Sequence, residues 1–257
     1  MSYGALAAGI ALAGVAVLLA WPAPIVLSRA AWPARAPGRA LLLWQGIALA
    51  GGLSMVGALW LFGIAFFPEH PWIAGIPPAA LAAYLLGHLL VTMVQFERQR
   101  RRHLQLLLLL SVPDPDRERT VVLDDQAPVA YCLPRGIGSV TVLSKGLFTA
   151  LDDDELAAVI AHERAHVEQR HEVLLVAFRA WRAALPWFPM AARAESEVAA
   201  LVEMLADDHA RRTQPDAVLA RAILTVAQVQ GSPEGASSRR NRLHDRFRRL
   251  APRLDGR

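Results

Sequence analysis

The chain has 257 residues, enough for one large domain or two small ones. Hydrophobic residues make up 54% and the mean hydropathy is +0.29; the excess sits in long apolar runs within the first hundred residues, and the remainder reads as ordinary globular sequence. The net charge of +4 is carried by arginine, with Lys145 the lone lysine, and the single cysteine, Cys132, excludes an intrachain disulfide and a thiolate metal cluster, so a metal would have to be held by His and carboxylate.

Tyr3 to Trp21 is uncharged and about as long as a bilayer is thick. It lacks the positive n-region and short apolar core of a secretory signal, and so reads as a retained membrane helix over 3–21. Residues 22–40 follow, with four prolines among Arg29, Arg35 and Arg39; Ala40 to Phe67 is a second span, long enough to tilt. A connection at 68–78 without Lys or Arg leads to a third span at 79–96, and Arg98, Arg100, Arg101 and Arg102 come directly after it. Basic loops favour the cytoplasmic side, so residues 1–100 are expected to cross a cell membrane several times with the N-terminus outside and the rest of the chain in the cytoplasm. Trp21, Trp44 and Trp72 fall near span ends, as an aromatic belt requires, and Gly46, Gly51, Gly52, Gly57 and Gly63 suggest close packing by the second span. His88, well inside the third span, is either functional or hydrogen-bonded to a neighbouring helix.

Residues 101–230 have the texture of a folded domain on the cytoplasmic side. Pro113 to Arg117 is a loop; Thr120–Leu123, Val129–Leu133 and Val140–Leu143 are short β-branched or apolar runs that read as strands, with a turn at 134–138. Ser144 to Leu151 predicts a short helix. The acidic first turn Asp152 to Glu155 then opens a helix containing His162-Glu163-Arg164-Ala165-His166. Positions i and i+4 share a helix face, so His162 and His166 project side by side and can bind one metal ion, with Glu163 placed to act on a water there. A largely apolar turn, Ala157 to Ala161, precedes them, and burying two imidazoles and a carboxylate beside it is costly without a partner.

Residues 172–190 are apolar enough for a fourth membrane helix, but Arg179 and Arg182 would each cost roughly 2.5–3.5 kcal/mol at mid-bilayer, so a helix lying in the interface or on the bundle is favoured. Helices follow at 191–212 and 216–229. Residues 231–257 form a basic tail in which Leu243, Phe247 and Leu250 share a face, either held on anionic lipid or solvated.

A catalytic zinc takes three protein ligands and keeps one position open. The glycine and third histidine of the metzincin extension are replaced by Gln169 and Glu172, and His171, five residues after His166, would point off the metal face of a continued helix. Glu195, Glu197 and Glu203 are carboxylates in the right region; only Glu203 has an acidic partner one turn on, Asp207, suited to hydrogen-bond a ligand imidazole. The segments D-E-L-A-A-V-I-A-H-E-R-A-H at 154–166, E-M-L-A-D at 203–207 and V-T-V-L-S-K-G-L at 140–147 resemble the membrane-embedded gluzincins. These include the CAAX prenyl protease and heat-shock membrane protease family and the peptidase part of β-lactam sensor-transducers.

The resemblance implies zinc, with His162, His166 and Glu203 as ligands, Glu163 as general base and Asp207 behind the ligands. The expected fold is mainly α, with about three transmembrane helices followed by a zincin-like α+β metallopeptidase domain with a small sheet. The expected activity is zinc-dependent endopeptidase cleavage of protein substrates at the cytoplasmic face, with the lipid bilayer as the other partner and no nucleic acid. The chain ends about 55 residues after Glu203 and holds no Ser-x-x-Lys motif, so direct β-lactam sensing is not expected. An intramembrane site-2 protease would need Leu-Asp-Gly on a membrane helix, whereas Leu254-Asp255-Gly256 lies in the basic tail. The rival outside enzymology is a regulatory or partner-binding membrane module with a structural zinc site. For the oxyanion, His209, Arg211 and Arg212 are candidates between which the sequence does not choose.

Overall fold

The computed structural model describes residues 3–134, 139–229 and 236–250. It divides into two units, one formed by Met1–Phe96 with Leu175–Ala199, the other by Glu97–Leu174 with Ala200–Arg257. The turn expected at 134–138 lies, apart from Pro134, outside the described residues, as does Leu254-Asp255-Gly256.

The first unit contains α1 (Tyr3–Ala20), α2 (Pro22–Arg29), α3 (Pro37–Phe66) and the first part of α4 (Pro71–Leu110). Three helical stretches, Tyr3–Arg29, Pro37–Phe66 and Pro71–Leu107, are long and apolar enough to cross a membrane. Only 17%, 17% and 0% of their most apolar windows are buried inside the molecule, which is compatible with a multi-pass membrane protein. The spans run longer than the sequence predicts. Helix resumes at Pro22 because a fixed φ and a missing N–H suit the first helical position. Helix α4 starts eight residues early and carries Pro77 and Pro78 within it, as membrane helices tolerate.

Of the five glycines in the second span, Gly63 is the tightest: a Cβ there would sit 2.6 Å from the Ala74 carbonyl oxygen, and one at Gly57 would sit 2.9 Å from Leu12 Cδ1. Gly46 and Gly52 meet nothing, so close packing explains only part of the pattern. Trp21 and Trp72 are exposed, but Trp44 is buried and serves as core rather than belt. His88 packs edge-on against Tyr84 of its own helix, ring centroids 4.6 Å apart.

Helix α7 (His171–Ala184) has 14 residues, too few to span. Its arginines are paired instead of stranded: Arg182 and Arg179 approach Glu195 of α8 (Pro189–Ala210) at 3.0 and 3.7 Å, and Arg179 covers the Phe96 ring at 5.6 Å.

The second unit holds a four-stranded mixed sheet in the order β1-β2-β4-β3, from β1 (Ser111–Pro113), β2 (Thr120–Leu123), β3 (Ala130–Pro134) and β4 (Ser139–Ser144). β1–β2 and β3–β4 run antiparallel and β2–β4 parallel. The short β1 escapes sequence reading because it continues a leucine run and ends on proline. The central β4 buries Val140 to Leu143 in succession, as a strand covered on both faces does. Buried Ser144 joins sheet to helix: its Oγ donates to Ala127 O (2.6 Å) and accepts from Val129 N (2.9 Å) and Leu147 N (3.3 Å), capping α5 (Lys145–Ala150).

Helix α6 (Asp153–Glu168) begins with a capping box, Asp152 Oδ1 accepting from Glu155 N at 2.8 Å and Glu155 Oε2 from Asp152 N at 3.3 Å. It ends sharply, because Arg170 takes a left-handed φ of 50° and turns the chain into α7. Its inner face packs Ala158 with Ala210, Leu219, Ala220 and Ala222. The same cluster receives Leu250 and Phe247 from α10 (Ala236–Leu250), so the apolar face expected to meet lipid or solvent is used, at those residues, inside the unit.

Candidate metal centre

Helices α6 and α8 bring the expected residues together. One turn apart on α6, His162 and His166 place their Nε2 atoms 3.2 Å from each other. From α8, Glu203 Oε2 lies 3.4 Å from His162 Nε2 and Oε1 3.6 Å from His166 Nε2. Asp207, one turn along from Glu203, lies behind: its Oδ1 is 2.9 Å from His162 Nδ1, a buried nitrogen with no other partner. Glu195, one of the two alternative carboxylates, is taken by Arg179 and Arg182.

These separations fit a metal ion. Zinc holds N and O ligands at about 2.0–2.2 Å, and tetrahedral ligands at that radius sit about 3.3–3.5 Å from one another. The two imidazole nitrogens stand 3.2 Å apart and each has a Glu203 oxygen at 3.4 or 3.6 Å, Oε2 for His162 and Oε1 for His166. One ligand atom from each residue lies within 4.8 Å of the others. Among the described residues, His162, His166 and Glu203 form the one such group of three.

Electrostatics explain how the chain holds the cluster. Burial pushes His162 down, but Asp207 and Glu203 outweigh it and raise the imidazole to about 9. His166 is lowered to about 4 by burial, reinforced by the charge on His162. Burial works against the Asp207 and Glu203 carboxylates, yet His162 and Arg246 hold both well below the ordinary range. Half-buried Glu163 is lifted to about 7 by burial, with Glu203 adding to the lift and His162 and Arg246 opposing it.

Two residues at this centre go beyond the sequence reading. Arg246 of α10 donates from Nε and Nη2 to Asp207 Oδ2 and Oδ1, both at 2.7 Å, and from Nη1 to Glu203 Oε2 at 3.0 Å. A faint signal was present, since Arg246 stands one residue before Phe247 and four before Leu250, on the edge of the apolar face. His171 is 1% exposed and sets its Nδ1 3.0 Å from His166 Nδ1. A continued helix would have pointed it away; the reversal at Arg170 brings it back.

Of the three oxyanion candidates, His209 faces Glu168 (3.1 Å) and Gln169 (2.9 Å), Arg211 is paired with Asp216 (2.7 Å) and Asp208 (3.3 Å), and Arg212 is exposed.

Compared with protein families, residues 94–231 match Peptidase family M48 over more than half of the chain. The chain belongs to Peptidase family M48. This is a zinc metallopeptidase family with CAAX protease, heat-shock membrane protease and β-lactam-sensor-like members. The M48 segment runs from the end of α4 through α9 (Asp216–Val229), taking in the sheet, α6 and α8, and stops before α10 and Arg246. No curated protein and no solved structure matches this M48 chain.

Proposed function

We propose that the protein is a membrane-bound zinc endopeptidase that cleaves protein substrates at the cytoplasmic face. The observation that carries this reading is the convergence of His162 Nε2, His166 Nε2 and a Glu203 oxygen at metal-ligand spacing, with Glu163 next to them on α6. Zinc held by those three side chains would supply a Lewis acid that polarises a peptide carbonyl and acidifies a water. Glu163 acts on the protons: one carboxylate oxygen takes a proton from the attacking water and passes it to the amide nitrogen as the C–N bond breaks. A carboxyl raised to about 7 suits this double duty, since it is neither a fixed anion nor a fixed acid near neutrality. A purely structural site would have no use for it.

The other residues hold this arrangement still. Asp207 fixes His162 through Nδ1, and Arg246 keeps the buried Asp207 carboxylate compensated. Strand β3 is an edge of the sheet and packs against α6, so its outer side offers backbone groups to an extended substrate beside the metal helix. Three helices long and apolar enough to cross a membrane support the membrane-bound reading. Arg29, Arg35 and Arg39 near one connection and the arginines at 98–102 after the third span support a cytoplasmic side there, by the preference of basic loops.

The test is the purified Glu163→Gln variant: zinc content should stay at one per chain while cleavage of unfolded protein substrates is abolished. Undiminished proteolysis by that variant would refute the assignment.

A further inference from the structure

An unbroken line of hydrogen bonds leaves His166 on the side away from Glu203. His166 Nδ1 meets His171 Nδ1 at 3.0 Å; His171 Nε2 meets Gln169 Oε1 at 2.9 Å; Gln169 Nε2 meets His209 Nδ1 at 2.9 Å; and His209 Nε2 meets Glu168 Oε2 at 3.1 Å. Its far end fixes the direction of every bond. A carboxylate only accepts, so a neutral His209 carries its proton on Nε2 and presents a bare Nδ1. That bare nitrogen needs a donor, which orients the Gln169 amide with its NH2 towards His209 and its oxygen towards His171. The oxygen in turn requires a proton on His171 Nε2, leaving His171 Nδ1 bare, and a bare Nδ1 requires the proton of His166 to sit on Nδ1. The remaining lone pair of His166 is then on Nε2, aimed at His162 and Glu203. Turning the amide over would put a proton on His166 Nε2, where the metal must bind. It would also face the bare Nε2 of His209 to the Glu168 carboxylate. With the three histidines neutral, only one proton arrangement satisfies all four bonds, and it makes His166 a ligand.

We propose that His171, Gln169, His209 and Glu168 are positioning residues that lock the metal-binding tautomer of His166, with Glu168 setting the direction of the chain. This rests on His166 being a metal ligand. The left-handed Arg170 makes the line possible, by returning His171 against the helix end it has just left. His162 has the same service from Asp207 directly. The two imidazoles are thus oriented by unlike means, one by a buried anion and the other by a neutral relay ending on a carboxylate that is 50% exposed.

The experiment measures zinc affinity of the full chain in detergent micelles by competition with a chromophoric chelator, alongside the histidine 15N shifts that report tautomers. The parent chain should bind one zinc and His166→Ala should lose it; failure of either removes the ligand reading itself. Given both, His171→Phe should bind about 10–100-fold more weakly, the usual cost of losing an imidazole's supporting partner. His171 is buried, so Glu168→Gln is the variant free of packing loss. An amide can donate to His209 and lets the line invert, so affinity should fall about threefold or more at an unchanged melting temperature, with part of the His166 signal moving to the Nε2–H tautomer. His209→Gln, which keeps one acceptor and one donor, should bind more tightly than His209→Leu. Parental affinity in Glu168→Gln together with an unshifted His166 tautomer would overturn the proposal.

Discussion

Removing the arginine that α10 delivers to the metal centre should cost much of the stability of the second unit. In Arg246→Met the Asp207 carboxylate, whose side chain is 3% exposed, loses two charge-assisted bonds of 2.7 Å and keeps only His162. Breaking a buried ion pair from one side typically costs about 3–5 kcal/mol, because an uncompensated charge stays behind. For a protein of this size that corresponds to a fall in melting temperature of about 10 °C. The assay is thermal unfolding of the metal-free chain in micelles, followed by tryptophan fluorescence. Its control is a double-mutant cycle with Asp207→Asn, where methionine against a neutral amide leaves no uncompensated charge, because His162 still faces Glu203. The double variant should therefore be more stable than the sum of the single losses allows, by about 2 kcal/mol or more. Strict additivity, or an Arg246→Met variant melting within about 2 °C of the parent, would show that the arginine is not compensating Asp207.

Acid should act on the metal-free chain chiefly through three groups that titrate differently folded and unfolded, His166 and His171 losing stability and Glu163 gaining it. His166 and His171 are held at about 4 and stay neutral in the folded chain, whereas the unfolded chain takes up their protons near 6.5. Their contribution is thus complete above about pH 6.5 and lost as pH falls towards 4, on the order of 2 kcal/mol per histidine by pH 5. Two groups oppose this: His162, held at about 9, gains under about 1 kcal/mol and Glu163, lifted to about 7, gains about 2 kcal/mol between pH 7 and pH 5, so the net loss is on the order of 1 kcal/mol. In chelator the parent should lose about 2 kcal/mol more than His171→Phe between pH 7 and pH 5, and equal losses in the two would contradict this. Zinc uptake at pH 7.5 should release about one proton, the one His162 holds, read as a buffer-dependent calorimetric heat. Gly146→Ala should fail to accumulate as folded protein, since a Cβ there would overlap the Gln126 carbonyl; a parent-like melting curve would show that the loop can move aside.

What the sequence discloses is what a helix or strand decides locally. The i, i+4 spacing of His162 and His166 and of Glu203 and Asp207, the capping signal at Asp152 to Glu155 and the runs that became β2, β3 and β4 all depend on neighbours a few residues away. The helix at 216–229 likewise matches α9. His171 was out of reach because its place follows from one left-handed residue at Arg170, a position where neither glycine nor asparagine marks the reversal. Trp44 was misplaced for a related reason: position along a span says nothing of which side faces a neighbouring helix.

Arg246 was missed because the basic tail was weighed against lipid and water but not against the rest of the chain. Helix α8 carries Glu203, Asp207 and Asp208, and this acidic run, buried at Asp207 and half-buried at the other two, calls for cations beside it. α10 supplies them: Arg246 reaches Asp207 and Glu203, and Arg249, three residues on, reaches Asp208 at 2.6 Å and the Met204 carbonyl at 3.2 Å. Phe247 and Leu250 then seat the helix in the apolar cluster between these contacts. With His162 protonated, the two positive charges of His162 and Arg246 balance those of Glu203 and Asp207, so the metal-free centre is neutral as its burial requires. An acidic run on one helix and a basic run of similar period on a later one, each next to apolar residues, is therefore a pairing signal in its own right.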